Sequence, residues 1–190
     1  MLSILRILSA VFLLSSALWA DSLTPDLLKS FPVRNLGPFR AGAWVADVAV
    51  PESPESAHLY AFYVAARTGG VWKTVNNGTT FQPVFDAQGV TSIGAVAVAP
   101  SNADIVWVGT GDASCTRSAY WGDGVYKSLD GGKTWTNVGL RDSHHIARVV
   151  IDAKNPDILW VAAMGHLYTP NDERGVFKTV DGGKTWKRVL

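Results

Sequence analysis

Cysteine occurs once in the 190 residues, at Cys115, so the chain can form no internal disulfide. Charge of one sign is equally scarce. Seventeen Lys and Arg against sixteen Asp and Glu leave a formal net charge of +1. That balance supplies no phosphate-tracking surface and argues against nucleic acid as a partner. Helical periodicity is missing from most of the chain. A long apolar run occurs only near the N-terminus, from Ile7 to Leu18, and nothing of membrane-spanning length follows it. What the chain does have is 47% hydrophobic residues and 11% aromatics, enough for a packed core and too much for general disorder.

Residues 1–20 read as an export signal, with Arg6 ahead of the apolar run and cleavage after Ala20 or, alternatively, after Ala17. The expected location is secreted or periplasmic, with no stable membrane insertion once the signal is removed; an uncleaved anchor is the alternative. Residues 21–37 form a lead-in. Thr24 is placed to cap a short helix over Asp26–Ser30 with Pro25 at its first position, and Pro32 to stop it.

From residue 38 onward the chain repeats. The octapeptide Ser128-Leu-Asp130-Gly-Gly132-Lys-Thr-Trp135 recurs as Thr179-Val-Asp181-Gly-Gly183-Lys-Thr-Trp186, and a weaker copy stands at Thr74-Val-Asn76-Asn-Gly78-Thr-Thr-Phe81. Their first residues lie 54 and 51 positions apart (74 to 128, 128 to 179), and a period near 50 signals a repeat architecture. Each copy follows an apolar β-prone run and carries a turn in which glycine accepts positive φ. Side chains of Asp or Asn and of Ser or Thr supply hydrogen bonds to that turn. The closing Trp or Phe opens the return strand. Each repeat holds four strand-like runs bounded by Gly, Pro and Asn, around Trp44–Phe85, Ile93–Val138 and Ile146–Val189.

Four antiparallel strands per repeat make the blade of a β-propeller, and the predicted class is all-β, with three four-stranded blades over residues 38–190. A β-sandwich would not explain near-identical hairpins at one period. Rings take about four to eight blades, so the expectation is part of a larger ring whose further blades lie downstream of Leu190. A small module closing its ring by oligomerising is the alternative. The strand residues Tyr63, Trp72, Trp160 and Phe177 are candidates for the faces turned toward an absent neighbour.

The octapeptide resembles the Asp box, S/T-x-D-x-G-x-T-W, of the bacterial neuraminidase repeat (BNR) propellers. That superfamily includes sialidases, xyloglucan-cleaving glycosidases, the sortilin ectodomain and photosystem II assembly factors. The second and third copies match fully; the first has Asn76 for Asp and Phe81 for Trp. The resemblance implies that Ser128, Asp130, Gly132, Trp135, Thr179, Asp181, Gly183 and Trp186 are structural and lie away from any active site. In the xyloglucan-cleaving relatives a base aspartate stands in a motif like A-R-T-D-I-G-G. Here Ala66-Arg67-Thr68-Gly69-Gly70 lacks the Asp-Ile pair, which undermines that chemistry.

Strand alternation puts the octapeptides on one face and the loops between second and third strands, with those between blades, on the other. The distance from the second-strand aromatic to the octapeptide is 11 residues in the first repeat (Tyr63 to Thr74). It grows to 21 in the second (Trp107 to Ser128) and 19 in the third (Trp160 to Thr179). Insertions on one face of a repeat protein mark a binding face. Candidates there are Arg67, Arg117, Tyr120, Trp121, His144, His145 and His166: aromatics to stack on a ligand, arginines to clamp a carboxylate. His144 or His145 with His166 and Asp112 is one conceivable metal set, but no spacing compels it, and no metal and no cofactor are expected. Asp172 and Glu173 sit side by side on the third loop, where adjacent residues usually point apart. The function expected is an exported propeller binding a polypeptide or glycan on the loop face. The alternative is a divergent glycoside hydrolase with its carboxylates in blades beyond Leu190, and whether the protein is an enzyme stays open.

Overall fold

The computed structural model describes residues 44–190, apart from 53, 117 and 118. The export signal, the lead-in and Arg117 lie outside the described residues.

Among the described residues, twelve strands form three antiparallel sheets of four. The first sheet holds β1 (Val45–Ala49), β2 (Phe62–Ala66), β3 (Gly70–Thr74) and β4 (Gln82–Pro83). The second holds β5 (Ile93–Ala99), β6 (Asn102–Thr110), β7 (Val125–Ser128) and β8 (Thr136–Asn137). The third holds β9 (Ile146–Ile151), β10 (Leu159–Ala163), β11 (Gly175–Thr179) and β12 (Lys187–Arg188). Within each sheet the strands pair in chain order. The architecture is that of three propeller blades. The fourth strands are shorter than the sequence predicts. Each pairs over two residues with one neighbour only, and one further bond continues each ladder, from the Val84, Val138 and Val189 N–H groups to the Val71, Val125 and Val176 carbonyls.

The innermost strands meet one another: Asp47 of β1 accepts from the Val96 N–H of β5 and lies 3.8 Å from Arg148 of β9. Alternation along β2, β6 and β10 gives each blade two apolar faces. Between the first and second blades, Tyr63, Ala65 and Val71 pack on Val96, Val106, Val108 and Tyr126. Between the second and third, Ala95, Trp107 and Val125 pack on Val149, Leu159, Val161 and Phe177. Tyr63 and Phe177 therefore fill cores between blades. Trp160, whose β11 partner is Lys178, occupies the position that Tyr63 and Trp107 hold in the first two blades, on the outer face of the third. Trp72, paired with Val64, lies on the other side of the first sheet from Tyr63 and, contrary to expectation, is buried, its Nε1 donating to the Gly69 carbonyl.

The octapeptides are self-fastened turns. Ser128 Oγ accepts from the Gly132 N–H (2.8 Å), and Thr179 Oγ1 from the Gly183 N–H (3.0 Å). Asp130 Oδ1 accepts from the Lys133 and Thr134 N–H groups at 2.9 and 2.8 Å, and its Oδ2 from the Thr134 hydroxyl at 2.6 Å. Gly131 and Gly132 take φ of +67° and +87°, which a side chain would resist. In the first copy Asn76 keeps the backbone bond to Thr80 and reverses the side-chain one, its amide donating to Thr80 Oγ1.

Each turn is also tied across blades. Trp135 Nε1 donates to the Val84 carbonyl of the first blade (2.6 Å), and Trp186 Nε1 to the Val138 carbonyl of the second (2.7 Å). From the other side, Tyr63 Oη and Lys73 Nζ both donate to the Gly131 carbonyl.

This geometry sets a pH dependence. Hydrogen bonds from the Thr134 hydroxyl, the Thr134 N–H, Ser128 and Lys133 hold the Asp130 carboxyl at about 2. A folded-state value below the unfolded one, about 3.9, means the stabilisation is complete above about pH 4 and lost as pH falls toward about 2. Asp130→Asn, the residue the first copy already uses, is expected to flatten the fall in urea midpoint across that window. An unchanged acid limb would show that the turn contributes nothing there.

Candidate functional site

The loop face is assembled by contacts that cross blades. The β2–β3 turn presents Arg67, whose guanidinium forks onto Asp112 of the β6–β7 loop with bonds of 2.9 and 2.6 Å. It also reaches the Ser114 hydroxyl and lies 4.6 Å from the Trp44 ring centroid. Burial pushes the Asp112 carboxyl up, but the hydrogen bonds from Arg67 and Ser114 outweigh it and hold the group below the usual range. Arg67 thus braces the long second loop in place. His145 is buried, with Nδ1 2.9 Å from the Asp112 carbonyl, and burial lowers its pKa. Both residues position the loop from below.

Tyr120 and Trp121 stand above that base, 63% and 68% exposed. The Tyr120 carbonyl is held by the Asp112 N–H and the Ser92 hydroxyl, so the loop carrying the two rings is anchored at its backbone. Beside them runs a groove of about 440 Å³ lined by Gly89, Val90, Thr91, Ser92, Ala119, Tyr120 and Trp121. Its other wall is the β4–β5 connection, which the sequence does not single out. Residues 89–92 carry no charge or aromatic to mark them, and only their position across from the second loop makes them a wall.

Trp121 leans on His144, ring centroids 5.0 Å apart, and His144 stacks on His166 at 3.8 Å. His166 Nε2 lies 3.0 Å from Asp142 Oδ1, and its Nδ1 lies 2.8 Å from Thr169 Oγ1. Asn171 bridges the two loops, donating to the Asp142 carbonyl and accepting from the His166 N–H. The structure thus joins His144 and His166, as the sequence suggests, but with Asp142 as their carboxylate; Asp112 belongs to Arg67. The signal for Asp142 was its place two residues before His144 on the same loop. Asp142 is held below its ordinary value first by the hydrogen bond from His166, and His144 is lowered by burial and by His166.

No family model matches the chain, and no curated protein matches it. Solved structures do. An ancestral GH74 enzyme superposes with a TM-score of 0.56 at 24% identity, over 77% of this chain and 18% of that one. The GH74 xyloglucanase of Xanthomonas campestris gives 0.53 at 20%, over 76% of this chain and 23% of that one. YCF48 bound to a D1 peptide gives 0.51 at 13%, over 76% and 40%. The chain spans a fifth to two-fifths of the length of these structures. At such identities the likeness is one of fold: the three blades are part of a β-propeller.

Proposed function

We propose that this is an exported β-propeller of the Asp-box type whose loop face binds a polypeptide or glycan. The observation that carries it is the groove beside Tyr120 and Trp121, two exposed rings on a braced loop opposite the octapeptide face. Flat ring faces grip the apolar side of a sugar or a peptide side chain. Thr91 adds an exposed residue with a hydroxyl on the groove's far wall. Support comes from both kinds of fold neighbour, since one is a xyloglucanase and another is described bound to a peptide.

The experiment is to probe the chain against a glycan array and a peptide array, with the Tyr120→Ser/Trp121→Ser double variant alongside. Signal on either array should fall at least about tenfold in the double variant, as expected when aromatic anchors are lost. It should persist in Leu129→Asp, whose exposed side chain sits on the opposite face. Retention in the double variant would refute the groove as the site. Release of new reducing ends from a bound glycan would favour the glycoside hydrolase reading. That reading places its carboxylates in blades outside this stretch; on the loop face Asp112 is engaged by Arg67, and the Asp142 carboxylate by His166 and Asn171.

A further inference from the structure

Asp142, His144 and His166 converge at one point of the loop face, and we propose that they bind a single divalent transition-metal ion, Zn²⁺ foremost, leaving at least one coordination position open. Their ligand atoms all lie within 4.8 Å of one another. Asp142 Oδ1 is 3.0 Å from His166 Nε2 and 3.8 Å from His144 Nε2. A zinc ion with bonds of about 2.0–2.2 Å in a tetrahedral site sets its ligand atoms about 3.4 Å apart. The two separations bracket that value. The stacked rings must fan apart for both nitrogens to face the ion, a rotation about side-chain bonds that leaves the backbone in place.

The surroundings favour a cation at this point. His166 Nδ1 lies 2.8 Å from Thr169 Oγ1, so Nε2 is the nitrogen turned to the Asp142 carboxylate. That Nδ1 contact is the outer bond that orients metal-bound imidazoles. The two loops are locked together at the backbone. Asn171 spans them, the Asp142 N–H donates to Glu173 Oε2 at 2.7 Å, and Arg174 donates to the Met164 and His166 carbonyls. His144 is held at φ +52°, with its carbonyl accepting from the Gly122 N–H. A non-glycine residue in that region is a strain that surrounding structure must impose, and it places the ring against His166. Two imidazoles with one carboxylate suit zinc, nickel, cobalt or copper, whereas magnesium and calcium prefer oxygen alone. Three protein ligands leave room for water or a ligand's own carboxylate, unlike a closed structural site. The proposal stands independently of what the groove beside Trp121 holds.

The test uses the 190-residue chain carrying Cys115→Ser, to remove the one exposed thiol, stripped with chelator and titrated calorimetrically with Zn²⁺ and Mg²⁺. One Zn²⁺ per chain is expected, with no Mg²⁺ binding at the same concentrations. His144→Ala, His166→Ala and Asp142→Asn should each weaken Zn²⁺ by at least about tenfold. His58→Ala, whose imidazole meets Asp104 on the octapeptide side, should leave binding unchanged. A readout free of variants comes from the imidazole NMR signals of the four histidines. The pair that shifts most on adding Zn²⁺ should be His144 and His166. Absence of saturable binding, undiminished binding in the His144→Ala/His166→Ala double variant, or a shift centred on another pair would overturn the proposal.

Discussion

Gly111→Ala is expected to destabilise the protein by about 3–5 kcal/mol, at the upper end of what single substitutions cost. Gly111 sits at φ +93°, and a Cβ there would overlap the His144 carbonyl oxygen and crowd the His145 backbone. Its N–H donates to the Ser92 carbonyl at 2.7 Å, so the backbone cannot slide away without breaking that bond. The obstruction is main chain, which yields far less than the end of a flexible side chain. Gly89→Ala is the control: nothing lies within 4 Å of its would-be Cβ. That change should alter stability by no more than about 1 kcal/mol. Urea midpoints compare the two. Equal midpoints would mean that the loop face tolerates a shift of the β8–β9 connection, and with it of His144.

The second large effect is expected at Trp107. Its side chain is fully buried between the second and third blades, against the turn at Gly183. Trp107→Ala should cost about 3–5 kcal/mol. The buried indole Nε1 has no hydrogen-bond partner among the described residues, so Trp107→Phe forfeits volume but no hydrogen bond and should cost markedly less. Trp160 occupies the same strand position, with Lys178 4.8 Å from its ring centroid as Lys127 is from that of Trp107. Yet it is only half-buried, and Trp160→Ala should cost about 1–2 kcal/mol less than Trp107→Ala, in line with the smaller area removed from water. Thermal melts of the three variants decide the point. A Trp160 effect as large as that of Trp107 would mean that its face is already covered.

The repeat was legible because its determinants are local. Turn chemistry at Ser128, Asp130 and Gly132, alternation along β2 and β6, and the spacing of the copies each lie within a few residues of one another. Together they place twelve strands in three sheets. The length of the fourth strands was not legible, since a two-residue edge pairing depends on what the neighbour offers. Val84 and Val138 still donate to the third-strand carbonyls of Val71 and Val125, while their side chains pack between blades. The loop face was legible as a face and not as a site. Its residues lie outside the repeated unit, so nothing aligns one loop with another. The Arg67–Asp112 pair bridges 45 residues of sequence. The choice of Asp142 over Asp112 as partner for His166 follows from positive φ at Leu140 and His144, residues whose identity does not announce that conformation.

The indole bonds from Trp135 and Trp186 bear on how such a chain can grow. Each of these hairpins holds the key to the preceding blade, a Trp N–H, and each preceding blade offers the lock, a carbonyl at Val84 or Val138. Key and lock recur at the same interval in the second blade, so a duplicated copy of that segment arrives already compatible with its parent on both sides. Lengthening the array by gene duplication then demands no matched pair of mutations at the new junction, and nearest-neighbour coupling of this kind is what makes repeat proteins extensible. The first blade breaks the pattern, because Phe81 has no N–H to donate. A duplicate of that segment would leave its predecessor's carbonyl unlatched.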